Sequence, residues 1–153
     1  MEKLDAVDLT ILRILQNDSK KTTKEIAQIL NLTISPVYER IKRLENDGYI
    51  KKYVAILDKN LINYPVTAIC MVSLRYHNAG FIDTFEEQIK ALEEVQECYH
   101  MAGKVDFFLK INMKNLADYH DFVRLKLSNI SNIGVLESYF VLKEIKDTNE
   151  FMI

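Results

Sequence analysis

The chain has 153 residues, 48% of them apolar and only 6 Gly or Pro, which excludes a disordered, fibrous or linker-rich polypeptide. Its net charge of −2 argues, taken whole, against a nucleic-acid binder. The average hides a split: residues 1–60 hold 11 Lys/Arg and 9 Asp/Glu, and residues 61–153 hold 9 and 13. No apolar h-region follows the start, and no run reaches the roughly 18 apolar residues of a membrane span. The two cysteines, Cys70 and Cys98, make no disulfide framework, so a cytoplasmic chain with reduced thiols is expected.

Residues 5–16 predict a helix with Asp5 as N-cap, Asp8 at the positive end of the dipole, and Leu4 and Leu9 as a hydrophobic staple. Thr22-Thr23-Lys24-Glu25 is a capping box that opens a short second helix, with Ile26, Ile29 and Leu30 as its buried face and Asn31 as its end. A third helix follows at once, with Thr33 as N-cap, Pro36 in the first turn and Gly48 past the end. Its apolar stripe is Ile34, Val37, Ile41 and Leu44. The opposite face carries Ser35, Glu39, Lys42, Arg43 and Asn46, flanked by Pro36 and Arg40.

Three helices with a tight second connection describe a helix-turn-helix, whose last helix enters the DNA major groove. Ser35, Glu39, Lys42 and Arg43 have the donors and acceptors for base edges or phosphates. Lys20, Lys21 and Lys24 sit where the second helix begins and its dipole attracts a phosphate, and Lys51 and Lys52 follow the third. A basic helix face is also commonly just solvated, so the pattern alone leaves DNA binding open.

Residues 49–57 predict a connecting strand, and Asp58-Lys59-Asn60 ends it; the domain boundary is placed at residues 58–63. The remainder alternates. Strands are expected at 66–76, 95–101, 105–113 and 133–145, with helices at 81–93 and 116–127. The order βαββαβ is the ferredoxin-like plan, one sheet face under two helices and the other in need of a cover. Cys98 and His100 share a strand face, but no CxxC or HxxxH accompanies them, so neither a metal site nor a catalytic pair is expected.

Several stretches together resemble the Lrp/AsnC (feast/famine) family of transcription regulators. They are Leu4-Asp5-Ala6-Val7-Asp8 with Ile11-Leu12, the run Leu32 to Glu45 with Ser-Pro-Val and Arg-Ile-Lys-Arg-Leu, and Gly48-Tyr49-Ile50. Val95 to Asp106, ending in Gly-x-x-Asp, and Phe140 to Lys146 complete them in order along nearly the whole chain. The resemblance implies an α+β chain with an N-terminal helix-turn-helix (winged-helix-like) domain, residues 1–60, and a C-terminal ferredoxin-like ligand domain, residues 61–153. It implies a DNA-binding regulator, not an enzyme, without cofactor or metal, that forms homodimers and octamers of four dimers and answers to a small molecule, usually an amino acid. DNA contacts then fall to Lys20, Lys21, Thr22, Lys24, Thr33, Ser35, Pro36, Tyr38, Glu39, Arg40, Lys42 and Arg43. Effector contacts fall to Tyr99, Met101, Ala102, Gly103, Lys104, Val105, Asp106, Leu136 and Ser138. In that reading Asp106 meets an ammonium and the backbone around Gly103 meets a carboxylate. Where family members often have Pro-Gly-Val, this chain has Ser131-Asn132-Ile133; Asn tolerates the left-handed conformation such a turn needs. The competing reading is an effector-sensing oligomeric module without DNA binding, which Glu39 and the acidic pI keep open.

Overall fold

A computed structural model describes residues 3–153. The chain divides into two units, Met1–Ile56 with Lys146–Ile153, and Leu57–Ile145. The first break falls between Ile56 and Leu57, and the last eight residues group with the first unit rather than with residues 57–145. They are held to the first helix by paired bonds: the Phe151 N–H donates to Gln16 Oε1 at 3.0 Å, and Gln16 Nε2 donates to the Phe151 carbonyl at 2.7 Å.

The first unit is built on three helices, α1 (Ala6–Asn17), α2 (Thr23–Leu30) and α3 (Ile34–Asn46). Two of the three expected N-cap residues, Asp5 and Thr22, make side-chain capping bonds. Asp5 and Asp8 form a reciprocal capping box on α1, and Thr22 and Glu25 do so on α2. Asn31 adopts φ 53°, the left-handed cap that lets the chain turn directly into α3. Gly48 takes φ +78° after α3, a conformation that a side chain would oppose. Thr33 is the N-cap of α3 but makes no side-chain capping bond. Ile11, Leu15, Ile26, Ala27, Val37, Ile41 and Leu44 close the core. Ile29 is an exception to the expected pattern: it is 54% exposed, and Ala27 takes its place inside.

No strand forms over residues 49–57. Tyr53, Val54, Ile56 and Leu57 have the composition of a strand but lie exposed, and the segment pairs with no other strand. A strand needs a ladder partner to satisfy its backbone, and propensity alone does not supply one.

The second unit contains β1 (Val66–Leu74), α4 (Ala79–Lys90), β2 (Val95–His100), β3 (Phe107–Met113), α5 (Leu116–Leu125) and β4 (Ile133–Phe140). All neighbouring strands are antiparallel, in the order β2-β3-β1-β4. Period-two alternation puts Ala68, Cys70, Val72 and Leu74 on the face that meets the buried Phe85 and Ile89 of α4 and Tyr119 and Phe122 of α5. The last strand stops at Phe140 rather than at residue 145. After the Val141 N–H bonds the Thr67 carbonyl, Leu142 and Ile145 lie 100% and 84% exposed.

Candidate DNA-contacting and effector-binding residues

At 3.6 residues per turn, α3 carries three stripes. Val37, Ile41 and Leu44 are buried. Ser35, Glu39, Lys42 and Asn46 lie opposite them, within about 60° of one another, and all four are exposed. Pro36, Arg40 and Arg43 form a flank of similar width, about a quarter turn from the core. The structure therefore places Arg43 on the flank with Arg40, not on the outward face.

That flank is tied to α1. Arg40 Nη1 donates to Asp5 Oδ2 at 2.6 Å and to Asp8 Oδ1 at 2.7 Å. Arg43 Nη2 donates to Asp8 Oδ2 at 2.5 Å. Asp8 is fully buried. Burial works to raise its pKa, but the Asp5 N–H and the two guanidiniums outweigh it and hold the carboxyl below its ordinary range. From sequence Asp8 reads as a helix-dipole residue; two acids at an N-terminus facing an Arg pair three apart were the signal for its second role.

Lys42 differs from the arginines. It donates to Glu45 at 2.8 Å, with its side chain half exposed, and lies 5.8 Å from the Tyr38 ring centre. Such an exposed pair is worth at most about 1 kcal/mol, so the ammonium exchanges readily onto an incoming phosphate. Tyr53 donates to the same Glu45 at 3.0 Å; burial foremost, then that carboxylate, pushes its phenol up to about 12.

At the start of α2, Lys20 and Lys24 are exposed and make no side-chain ion pair among the described residues, and Lys21 faces Glu25 at 4.0 Å. Thr22 is occupied internally: both its N–H and its hydroxyl donate to Glu25 at 2.7 Å. Thr33 is exposed at the start of α3.

The expected effector residues do not converge within one protomer. Met101, Ala102, Gly103 and Lys104 are exposed in the β2–β3 hairpin, with Val105 and Asp106 partly buried at its end. A Cβ at Gly103 would meet nothing within 4 Å, so the hairpin backbone stands open to approach. Leu136 and Ser138 are two strands away from β2–β3 pairing, on β4, opposite Val72 and Cys70. They face the helices, and Ser138 accepts from the Tyr119 hydroxyl at 2.5 Å. Tyr99 lies opposite Phe108, on the other side of the sheet. Register carries Tyr99 through Phe108 to Met71, and neighbouring Cys70, which pairs with Ser138, points to the opposite face, which is why Tyr99 and Ser138 are apart.

Asp106 is already engaged. Its Oδ2 accepts from the Leu74 N–H at 2.7 Å and lies 3.0 Å from His77 Nε2. Its backbone N–H donates to the Val72 carbonyl and its carbonyl accepts from Met101. Burial works to raise its pKa, but the Leu74 N–H and His77 prevail and lower it. Nothing in the spacing of His77 announced this contact. Asn132 takes φ 78°, the left-handed conformation expected of it, and its side-chain amide bonds both the N–H and the carbonyl of Tyr76 at 2.8 Å.

Cys98 and His100 do share the helix-side face of β2, beside a cleft of about 450 Å³ against α4. His100 stacks on Phe107 at 4.6 Å and lies 3.8 Å from Glu86. Burial, then Glu86, raises the Cys98 thiol, which opposes a nucleophilic role. Among the described residues no three His, Cys, Asp or Glu side chains converge as metal ligands. Cys70 is buried against the Tyr119 hydroxyl at 3.0 Å. One thiol, Cys98, should therefore react slowly with a disulfide reagent in the native protein and two in urea; two fast equivalents under native conditions would contradict this assignment.

A helix-turn-helix followed by a βαββαβ domain with an exposed hairpin defines a DNA-binding regulator of the one-chain, two-domain class. Comparison with known proteins agrees. Residues 4–51 match the winged helix-turn-helix DNA-binding family and residues 67–151 match the Lrp/AsnC ligand binding domain. The chain is 33% identical to the Bkd operon transcriptional regulator of Pseudomonas aeruginosa, covering 95% of both. It is 33% identical to the leucine-responsive regulatory protein of Haemophilus influenzae, covering 95% of this chain and 88% of that one. A transcriptional regulator of Neisseria meningitidis, solved as its L-Met complex, superposes with a TM-score of 0.92 at 30% identity, over 97% of this chain and 96% of that one. The chain belongs to the Lrp/AsnC family of transcription regulators. Its relatives are regulators rather than enzymes. Among the described residues no helix is long and apolar enough to cross a membrane.

Proposed function

We propose that this protein is a cytoplasmic, sequence-specific regulator that binds double-stranded DNA through α3 and changes its affinity or assembly when an amino acid binds the second domain. The observation that carries the DNA reading is the exposed stripe Ser35-Glu39-Lys42-Asn46, with Tyr38 beside it and Lys20, Lys21 and Lys24 at the start of α2. Thr22, Thr33, Pro36, Arg40 and Arg43 frame that surface. The residue types are those that read base edges and grip phosphates.

The effector reading rests on the open hairpin Met101–Lys104 beside Val105 and Asp106, and on the methionine complex of the Neisseria relative. Because Tyr99, Leu136 and Ser138 lie apart in one protomer, a complete pocket draws on a second copy. The open sheet face supports such a copy: Ile69, Met71, Tyr99, Phe108, Val135 and Tyr139 line it, and Val135 and Tyr139 are more than half exposed. A patch of that kind is covered in a stable protein. Pairing of these faces makes the dimer, and four dimers make the octamer.

Binding to genomic DNA fragments at two salt concentrations tests the reading, since phosphate contacts make affinity fall steeply with salt. Lys42→Ala should lower the slope of log affinity against log salt by about 1, the loss of one phosphate contact. No retention of DNA at low salt would sink the regulator reading in favour of a sensing module. A thermal-shift screen of the twenty amino acids should show one or a few that raise the melting temperature.

A further inference from the structure

The buried carboxylate that joins α1 to α3 has no part in the function proposed so far. Asp8 is wholly inaccessible in a unit whose other buried side chains are apolar. Each of its oxygens is spoken for: Oδ1 takes Arg40, and Oδ2 takes Arg43 and the Asp5 N–H. Asp5, the N-cap of α1, accepts a second bond from Arg40. Both arginines stand on one stripe of α3, three residues apart, so they grip the same side of the helix. An ion pair at this depth does not open cheaply, because withdrawing an arginine strands a buried charge.

We propose that Asp8 is a positioning residue for DNA recognition: it clamps Arg40 and Arg43 against α1, setting the rotation of α3 about its axis and withholding both guanidiniums from base reading. The proposal rests on the DNA-binding reading and narrows it. The bases are then read by Ser35, Tyr38, Glu39 and Asn46, exposed polar side chains of α3, with Lys42 beside them on a phosphate. The apolar stripe alone leaves α3 loosely specified. Val37, Ile41 and Leu44 are smooth side chains, whereas guanidinium-to-carboxylate bonds are directional and fix angle as well as distance. A small roll of α3 would displace every base-reading side chain together, so the clamp governs specificity more than affinity.

The test uses the full chain and two duplexes, one enriched by the wild-type protein from a random library and one scrambled. Affinities are measured by fluorescence anisotropy at several salt concentrations, with circular dichroism to verify folding. Asp8→Asn is expected to lower the ratio of the two affinities about tenfold or more, the scale of one or two misread base pairs, with the salt slope retained. Arg43→Gln leaves Asp8 paired with Arg40 and should lower the ratio in the same direction, so it decides the matter if Asp8→Asn does not fold. Asp8→Asn combined with Arg43→Gln should lose no more than the worse single change, because the two act through one contact. A merely structural role would lower the melting temperature and leave the ratio of the folded protein unmoved. An unchanged ratio in folded Arg43→Gln, or a slope reduced by about 1 as for a direct phosphate contact, would overturn the clamp and leave the DNA reading standing. Failure of the wild-type chain to retain any duplex at low salt would instead remove the DNA reading, and the clamp with it.

Discussion

Replacing Phe85 by Ala will destabilise the second unit by about 3–5 kcal/mol, the range for removing a large buried ring. Phe85 is 1% exposed on the inner face of α4, and its ring centre lies 4.5 Å from that of Phe107 on β3, tilted by 39°. The change removes the transfer energy of the ring, leaves a cavity, and breaks the ring pair, worth a further ~1 kcal/mol. Little nearby can collapse into the space, because Ile89 and Leu109 are themselves buried in the same core and β3 is held by a strand on each side. A loss of this size is a large share of the 5–15 kcal/mol that stabilises an ordinary domain. Urea titration followed by circular dichroism measures it. A cost below about 1 kcal/mol would show that the packing of α4 on the sheet is described wrongly.

At Asp106 the amide and the alanine variants should part company. Asp106→Ala removes the acceptor of the Leu74 N–H, a backbone donor on a residue only 5% exposed, and should cost about 1–3 kcal/mol of stability. Asp106→Asn keeps a carbonyl oxygen in that place, removes the charge and turns the other oxygen into an NH2 donor. If Asp106 meets the ammonium of an amino acid, Asp106→Asn should weaken effector binding by about tenfold or more while leaving the melting temperature of the free protein near that of the wild type. Calorimetric titration with the amino acid found in the screen measures the first and a thermal melt the second. Unaltered effector affinity in a folded Asp106→Asn protein would reject the ammonium pairing. The comparison separates two duties that a single alanine change would confuse, since His77 and Leu74 already use the same carboxylate oxygen.

Much of the fold follows from local pattern. The capping boxes of Asp5 with Asp8 and of Thr22 with Glu25, the left-handed Asn31 and the alternation of Val66 to Leu74 each depend on neighbours within a few residues. Such features are readable in a linear chain because their causes are local: hydrogen bonds to the next turn, and periods of 3.6 and 2. Residues 49–57 and 141–145 have strand composition but form no strand, for the complementary reason. Tyr49 to Leu57 has strand composition, but a ladder requires a second chain segment, and composition does not say whether one arrives. The pattern puts Ile26, Ile29 and Leu30 inside, whereas Ile29 is exposed and Ala27 is buried; a helix of only eight residues leaves its buried arc poorly determined by three apolar positions.

The site divides along the same line. Residues 20–43 already contained the helix-turn-helix and its basic side chains, and the Gly-x-x-Asp hairpin marked one end of the expected effector region. Only tertiary structure decided what those side chains do. Arg40 and Arg43 look like DNA contacts in a linear reading, and become internal ties once α1 brings a buried carboxylate to them. Asp106 looks like a free acid and proves to hold the end of β1, while Tyr99 and Ser138 are separated by the two faces of one sheet. Net charge has the same limit. A sum over sixty residues counts Arg40 and Arg43 as available positive charge, although Asp5 and Asp8 neutralise them at 2.5–2.7 Å. Coulomb attraction falls off with distance and strengthens with burial, so local spacing suffices for a pair such as Lys42 with Glu45, while the partners of Arg40 and Arg43 are settled by the three-dimensional path of the chain.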